Sequence, residues 1–158
     1  NLGEVPDPLG FAYYPDQMRL ALDLVEIRSQ LEPWVARMAA EHATAGNIEL
    51  LRECCAKVEQ DILNKRDHSQ NDVQFHVAIA ECTQNLVVPR LIPIITYSIT
   101  LFVSLTESRL RTETIIGHRE LLEAISDGDG LRAEKSMIQH IEYNKALLQE
   151  ITRREGVQ

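Results

Sequence analysis

Acidic and imidazole side chains occur in this chain at spacings that suit metal binding. Asp72 and His76 lie four residues apart in the stretch DVQFHVAIA, and in a helix that spacing puts two side chains about 40° apart on one face. The same face carries Ile79 and Ala80, so we expect both polar groups to point toward the interior. A buried carboxylate needs a partner. The pair therefore predicts either a binding site or an internal hydrogen bond, such as a helix cap made by Asp72.

Two further histidines face inward by the same criterion. His118 shares its helical arc with Leu122 and Ile125, and His140 shares its arc with Met137. Three imidazoles and one carboxylate from three helices could coordinate a divalent transition metal, for which Zn is the first expectation and Ni, Mn and Fe are alternatives. Taken singly, each inward histidine could instead be a hydrogen-bonded core residue.

Two other polar residues on inward faces are candidates for contact with a bound ligand. Arg28 lies on an apolar arc that includes Leu24, where a guanidinium needs an anion. That anion could be a ligand carboxylate or Glu32, one turn further on. Asn144 faces the same way as His140 and could donate to a ligand or to a backbone carbonyl. In a five- or six-coordinate ion, four protein ligands leave one or two positions open, where a small organic acid could bind the ion directly.

Composition and motifs disfavour several classes of function. Sixteen basic against twenty-four acidic residues give a formal net charge of -8, which repels a phosphate backbone. Neither HExxH nor Glu-x-x-His occurs, which disfavours a zincin protease and a ferritin-like di-iron bundle. Three classes remain: a sensor of a small acid, a metalloenzyme that activates water at the open position, and a metal-free dimerisation module.

The periodicity is helical almost throughout, without a convincing strand or hairpin signal. Residues 1–15 contain three prolines and two glycines, which predicts a linker or arm. Residues 16–158 are predicted to form one all-α domain, an antiparallel bundle of six or seven helices. Asp16 is a candidate cap for the first helix, and Pro33 should divide that region into a bent or broken pair. Later helices are predicted at about 47–63, 71–85, 88–109, 112–126 and 131–154.

The cysteines and the apolar segments favour a reduced, cytoplasmic protein. Cys54, Cys55 and Cys82 are odd in number and show no CxxC spacing, so we expect structural thiols. No secretory signal opens the chain. The run LIPIITYSITLFVSL, from Leu91 to Leu105, contains fifteen residues, fewer than the roughly 20 that cross a bilayer. We therefore predict a central buried helix and no membrane association.

Four segments in order resemble the FCD domain, the effector-binding C-terminal domain of the FadR subfamily of GntR transcriptional regulators. They are LDLVEIRSQLEPWVARMAAEHAT, NDVQFHVAIAECTQN, GHRELLEAISDGD and MIQHI, and the likeness covers about residues 17–150. Each segment alone is unspecific, whereas their joint order is quite specific. The resemblance implies an all-helical antiparallel bundle that binds an effector.

The resemblance also implies roles for individual residues. Metal-binding members of the family hold the ion with one Asp and three His, at positions that fall here on Asp72, His76, His118 and His140. The family's helix-one arginine, which looks like a contact to the effector carboxylate, falls on Arg28. The implied function is metal-dependent sensing of a sugar acid, hydroxy-acid or dicarboxylate by a homodimer, and not catalysis.

The family's winged helix-turn-helix domain would precede residue 1, and the missing initiator Met fits that arrangement. DNA contact is therefore expected only through this missing domain, with residues 1–15 as the tether. The implied mechanism is that an effector which binds one arrangement of the dimer better shifts the spacing of two DNA-binding domains.

Overall fold

A computed structural model describes residues 7–106 and 111–156, and within these ranges every regular element is a helix. A short 3-10 helix at Phe11–Tyr13 precedes seven α-helices. Their bounds are α1 Gln17–His42, α2 Ala45–Leu63, α3 Ser69–Cys82, α4 Val88–Ile95, α5 Tyr97–Thr106, α6 Arg111–Ser126 and α7 Gly130–Glu155. The predicted all-α bundle is confirmed for this part of the chain.

The first two helices begin at capping residues that can be read from the sequence. Asp16 Oδ1 accepts a hydrogen bond from the backbone N–H of Arg19 at 3.0 Å, so the predicted cap is present. Thr44 and Asn47 form a reciprocal capping box at the start of α2. For that reason α2 begins at residue 45, two residues earlier than predicted.

Pro33 lies inside α1, which continues through it as one helix. Of the two predicted outcomes, the broken pair was therefore wrong, and a bend at Pro33 stays a prediction. A proline in a helix interior removes one backbone hydrogen bond and costs roughly 3 kcal/mol. Pro33 is itself buried, and the apolar face around it, including Val25 and Ala36, packs into the core. Burial of that face along the whole helix offsets the lost hydrogen bond.

The long apolar segment forms two helices instead of the single one predicted for about 88–109. The break falls at Thr96; residues 107–109 lie outside the described part. Pro93 donates no backbone hydrogen bond, and the Thr96 hydroxyl donates to the Ile92 carbonyl at 2.7 Å. Side-chain hydrogen bonds of this kind compete with helix continuation.

By length and composition, the stretch Val88–Thr106 is the one candidate membrane span in the described part of the chain, and 44% of the window that qualifies is buried. Apolar core helices of soluble proteins meet the same criteria. α5 packs against α1, α3 and α7. We therefore interpret this segment as part of the core.

The position of α1 determines where the site can form. α1 packs along α7 and also contacts α3 and α6. The apolar side chains of these helices form one core, in which Phe75, Leu121 and Ile141 are fully buried. The three helices that carry Asp72 and the inward histidines therefore all pack against the same helix.

The three cysteines of the chain are thiols, two of them buried and one half-buried. Burial raises the pKa of both Cys55 and Cys82 to about 11. A thiol that stays protonated at neutral pH is a poor nucleophile and a poor metal ligand. These residues therefore pack as small apolar groups, as the sequence predicts.

Candidate metal centre

Three histidines from three helices meet inside the bundle. His76 on α3, His118 on α6 and His140 on α7 each offer one ring nitrogen, and these nitrogens lie within 4.8 Å of one another. The ring centroids are 5.0 to 5.9 Å apart, and no ring belongs to a residue more than 4% exposed. Because a zinc–nitrogen bond is about 2.0–2.1 Å long, small ring rotations would let all three nitrogens reach one ion.

Asp72 brings a carboxylate beside two of these histidines, His76 and His118. Its Oδ1 lies 3.4 Å from His76 Nε2 and 3.2 Å from His118 Nε2. Several buried polar atoms of the site have no hydrogen-bond partner, although they lie close to one another. They are Asp72 Oδ1, His76 Nε2 and both ring nitrogens of His118. Buried polar atoms without partners are uncommon in folded proteins. One divalent cation among them would satisfy the oxygen and both Nε2 atoms, so the donor set fits a transition metal.

The start of α3 explains how Asp72 reaches the site. α3 begins at Ser69, which puts Asp72 in its first turn and His76 one turn later on the same face. The residue before the helix is His68, whose side chain makes no capping hydrogen bond, and Asp67 Oδ1 accepts from the backbone N–H of Ser69 at 2.8 Å. Capping, the simpler alternative for Asp72, is therefore not its role. An acidic group in the first turn is also favoured by the helix dipole.

Close packing fixes the other two imidazoles. The His118 ring stacks on Phe75 with centroids 4.1 Å apart and an interplanar angle of 23°. Gly117 allows α6 to approach His140, because a Cβ atom at this position would lie 2.9 Å from His140 Nδ1. This role of Gly117 could not be predicted from the sequence, since a glycine inside a helix carries no signal for what lies opposite it.

Arg28 is fully buried and forms an ion pair with Glu32. Its Nε donates to Glu32 Oε2 at 2.6 Å, and its Nη1 donates to Ser98 Oγ at 3.3 Å. Its Nη2 is buried without a hydrogen-bond partner. Of the two partners that the sequence left open for Arg28, Glu32 is present, and Nη2 remains as a donor for a ligand.

Glu32 also contacts His76, which the sequence analysis did not anticipate. One carboxylate oxygen accepts from Arg28, and the other, Oε1, makes a short hydrogen bond with His76 Nδ1. Glu32 is buried at 1% exposure, and both contacts are internal. The inward direction of Glu32 could have been read from its position four residues after Arg28. Its partner on α3 could not, because the two are forty-four residues apart.

The charges of these buried groups depend on one another. Burial raises the pKa of each carboxylate, but opposing charges outweigh it. His118 and His76 hold the pKa of Asp72 well below its usual range, and Arg28 with His76 lowers the pKa of Glu32 to about 2. Both carboxylates are therefore ionised at neutral pH.

The pKa values of His76 and His140 are shifted in opposite directions. Burial lowers the pKa of His76, but Glu32 and Asp72 raise it to about 9. The pKa of His140 falls well below its usual range, because burial and the neighbouring His118 disfavour its charged form. A neutral His140 and an ionised Asp72 are the protonation states that bind a metal ion.

The last predicted ligand contact, Asn144, lies on α7 one turn after His140 and is buried at 6% exposure. A surface cavity of about 90 Å³ between α6 and α7 reaches His140 from outside, next to Gly117. Glu113, Glu120 and Tyr143 are among the residues that line it.

The sequence matches the FCD domain family over residues 23–143. Two relatives from Escherichia coli K12 are the Uxu operon transcriptional regulator, 30% identical over 82% of this chain, and the Galactonate operon transcriptional repressor, 26% identical over 85%. The chain covers 54% and 60% of these two relatives, so it spans just over half of their length. LutR from Bacillus subtilis is 26% identical over 89% of this chain and is covered to 67%.

A solved structure of Streptococcus agalactiae GntR has a TM-score of 0.78 and 30% identity over 89% of this chain, which covers 64% of that structure. The chain belongs to the FCD domain family, the effector-binding domain of GntR-family transcriptional regulators. The relatives are regulators, so the class of this domain is regulatory and not catalytic.

Proposed function

We propose that this domain binds a divalent transition metal through Asp72, His76, His118 and His140, and uses it to sense a small carboxylate. The observation that carries this proposal is the close approach of the three imidazoles inside the bundle, together with the buried atoms of Asp72, His76 and His118 that have no hydrogen-bond partner. A structural core histidine would normally have its polar atoms paired. Zn is the first candidate, with Ni, Mn and Fe as alternatives, because imidazole and carboxylate ligands suit all four.

When bound with five- or six-fold coordination, the ion would supply a Lewis-acidic centre whose one or two remaining positions can take carboxylate oxygens. Arg28 supports the same ligand class. Its buried Nη2 can donate a hydrogen bond and has no partner, and Glu32, which neutralises part of its charge, is shared with His76. We assign Asn144 to the ligand side of the site, as its amide can donate to an oxygen. The ligand class is a sugar acid, hydroxy-acid or dicarboxylate.

The names of the relatives agree with this class. One relative is a galactonate operon repressor, and another is a putative regulator of an L-lactate dehydrogenase operon from Escherichia coli K12. Galactonate is a sugar acid and lactate is a hydroxy-acid. We therefore choose both compounds as the first probes for this chain.

We further propose that ligand binding reaches the N-terminal arm through α5. Arg28 donates to Ser98 on α5, and the neighbouring Tyr97 packs against Phe11 of the arm, with ring centroids 5.5 Å apart. In this proposal the full protein is a cytoplasmic homodimer, residues 1–15 are the tether, and a preceding winged helix-turn-helix domain makes the DNA contact. A ligand can shift that system only by its difference in affinity for the two arrangements.

The experiment that tests the proposal compares metal content and ligand response. Protein purified without chelator should contain about one divalent ion per chain, and galactonate, lactate or a dicarboxylate should raise its unfolding temperature only while metal is bound. H118A and H140A should abolish both effects. H42A is the matched control, since His42 is exposed on α1. Wild-type metal content in H118A and H140A would refute the site.

Two other results would favour the alternatives. Turnover of a bound acid would favour a metalloenzyme. A dimer that contains no metal, and whose stability is unaffected by chelators, would favour a metal-free dimerisation module.

A further inference from the structure

Glu32 connects two groups of the proposed site that do not contact each other. One of its oxygens accepts from Arg28 Nε, and the other lies in a short hydrogen bond with His76 Nδ1. All three side chains are buried, at 0% exposure for Arg28 and 1% for the other two residues. Both oxygens of the Glu32 carboxylate are therefore engaged in hydrogen bonds to buried side chains.

The contact to Glu32 determines which His76 nitrogen faces the metal site. A carboxylate only accepts hydrogen bonds, so His76 Nδ1 must carry the proton. The other nitrogen, Nε2, then faces Asp72 Oδ1 at 3.4 Å and has no hydrogen-bond partner. Hydrogen bonds to the remote nitrogen of a ligating histidine set its tautomer and its ring orientation.

We infer that Glu32 is a positioning residue for the metal, which holds His76 with its Nε2 directed at the centre of the site. Arg28 in turn fixes the orientation of Glu32 through their hydrogen bond. This inference rests on the proposed metal function, and it assigns Glu32 a role that the sequence analysis did not give it.

The inference makes an unusual prediction for an isosteric change. In Glu32→Gln the side chain keeps its shape but has one accepting oxygen and one donating NH2 group. Arg28 can only donate, so the amide oxygen must turn toward it. The NH2 group then faces His76 Nδ1, which must become an acceptor and carry its proton on Nε2. A protonated Nε2 cannot bind a metal ion.

Removing Arg28 should reverse this effect. In the double variant R28M/E32Q the amide is no longer held by a guanidinium, so its oxygen can turn to His76 and accept from Nδ1. In R28M/E32A no side-chain acceptor remains for His76. The two double variants carry the same net charge and lack the same ion pair, so they differ in whether residue 32 retains a hydrogen-bonding amide.

The test is the affinity for Zn²⁺ alone, measured by competition with a chromogenic chelator. We expect E32Q to bind Zn²⁺ about 10- to 100-fold more weakly than the wild type, the usual effect of losing such a partner. We expect R28M/E32Q to return to within a few-fold of the wild type and R28M/E32A to stay weak. E41Q is the matched control, because Glu41 forms an exposed pair with Arg37 on the same helix.

Several outcomes would overturn the inference. Wild-type affinity in E32Q would do so directly, and so would equal affinities in the two double variants, since charge or packing alone would then explain the data. If the wild type binds Zn²⁺ and the double variants do not differ, only the role of Glu32 fails. If the wild type does not bind Zn²⁺, the proposed function fails as well. Far-UV circular dichroism of each metal-free variant confirms that it is folded.

Discussion

Replacing Gly117 with alanine would place a methyl group against His140. The new Cβ would lie 2.9 Å from His140 Nδ1, 3.5 Å from its Cγ and 3.6 Å from its Cβ. Ordinary contacts begin at 3.4 Å, so the imidazole or α6 must move by about 0.5 Å. Metal–ligand distances tolerate deviations of only about 0.2 Å. His140 in the variant therefore cannot keep a position that suits both the metal and the new methyl group.

The expected loss of affinity follows from the strain. Overpacking a well-packed interior by one methyl group costs typically about 1–3 kcal/mol. If the metal-free protein relieves the overlap by turning His140 away, metal binding must restore the strained arrangement. The whole of that free energy then opposes binding, which corresponds to an affinity about 5- to 150-fold lower.

The assay is chelator competition for Zn²⁺, together with urea denaturation of the metal-free protein. Gly46→Ala is the matched control, because its Cβ would meet only Thr44 Oγ1, at 3.9 Å, in a helical position. The control should bind Zn²⁺ normally and be as stable as the wild type or slightly more stable. If Gly117→Ala binds Zn²⁺ as tightly as Gly46→Ala, His140 is not a ligand that close packing holds in place.

Three further predictions concern metal, charge and pH. Zn²⁺ at about 1,000 times its dissociation constant should add about 4 kcal/mol to the free energy of unfolding, and EDTA should remove this increment in thermal denaturation; an unchanged midpoint would contradict metal binding to the folded state. Glu32→Ala leaves the guanidinium of Arg28, at 0% exposure, without its carboxylate, so it should cost about 3–5 kcal/mol in urea denaturation, and more than R28M/E32A does. The opposite order would show that the pair does not act as one buried unit. His76 has a pKa of about 9 without metal, so it is protonated at pH 7 and must lose a proton to bind the ion. Calorimetry in buffers of different ionisation enthalpy should detect that proton, and apparent Zn²⁺ affinity should rise with pH up to about 9; binding without proton release would contradict this assignment.

The direction of the site residues was predictable because it depends on local periodicity. Asp72 and His76 are one helical turn apart, and their apolar neighbours identify the buried face. The same argument applies to His118 and His140. All four side chains are buried, and none of the four residues is more than 6% exposed. Helical periodicity needs no knowledge of the partner helix, so it could be applied to each segment separately.

The features that were missed depend on contacts between distant segments. The second contact of Glu32 joins α1 to α3, and the close approach at Gly117 joins α6 to α7. The disruption of α1 by Pro33 was overestimated for the same reason, since the burial that offsets the lost backbone hydrogen bond comes from contacts with other helices. The break at Thr96 arises from Pro93 and a hydroxyl that competes for a backbone carbonyl, a local signal that the long apolar run concealed.

The central claim is that Asp72, His76, His118 and His140 together hold one divalent ion. Anomalous diffraction at the zinc absorption edge from crystals of the Zn²⁺-loaded chain tests it most directly. The account predicts one strong peak among these four side chains, about 2.0–2.2 Å from the Asp72 oxygen and from each of the three imidazole nitrogens. A peak elsewhere, or no peak at this point in fully loaded protein, would contradict it.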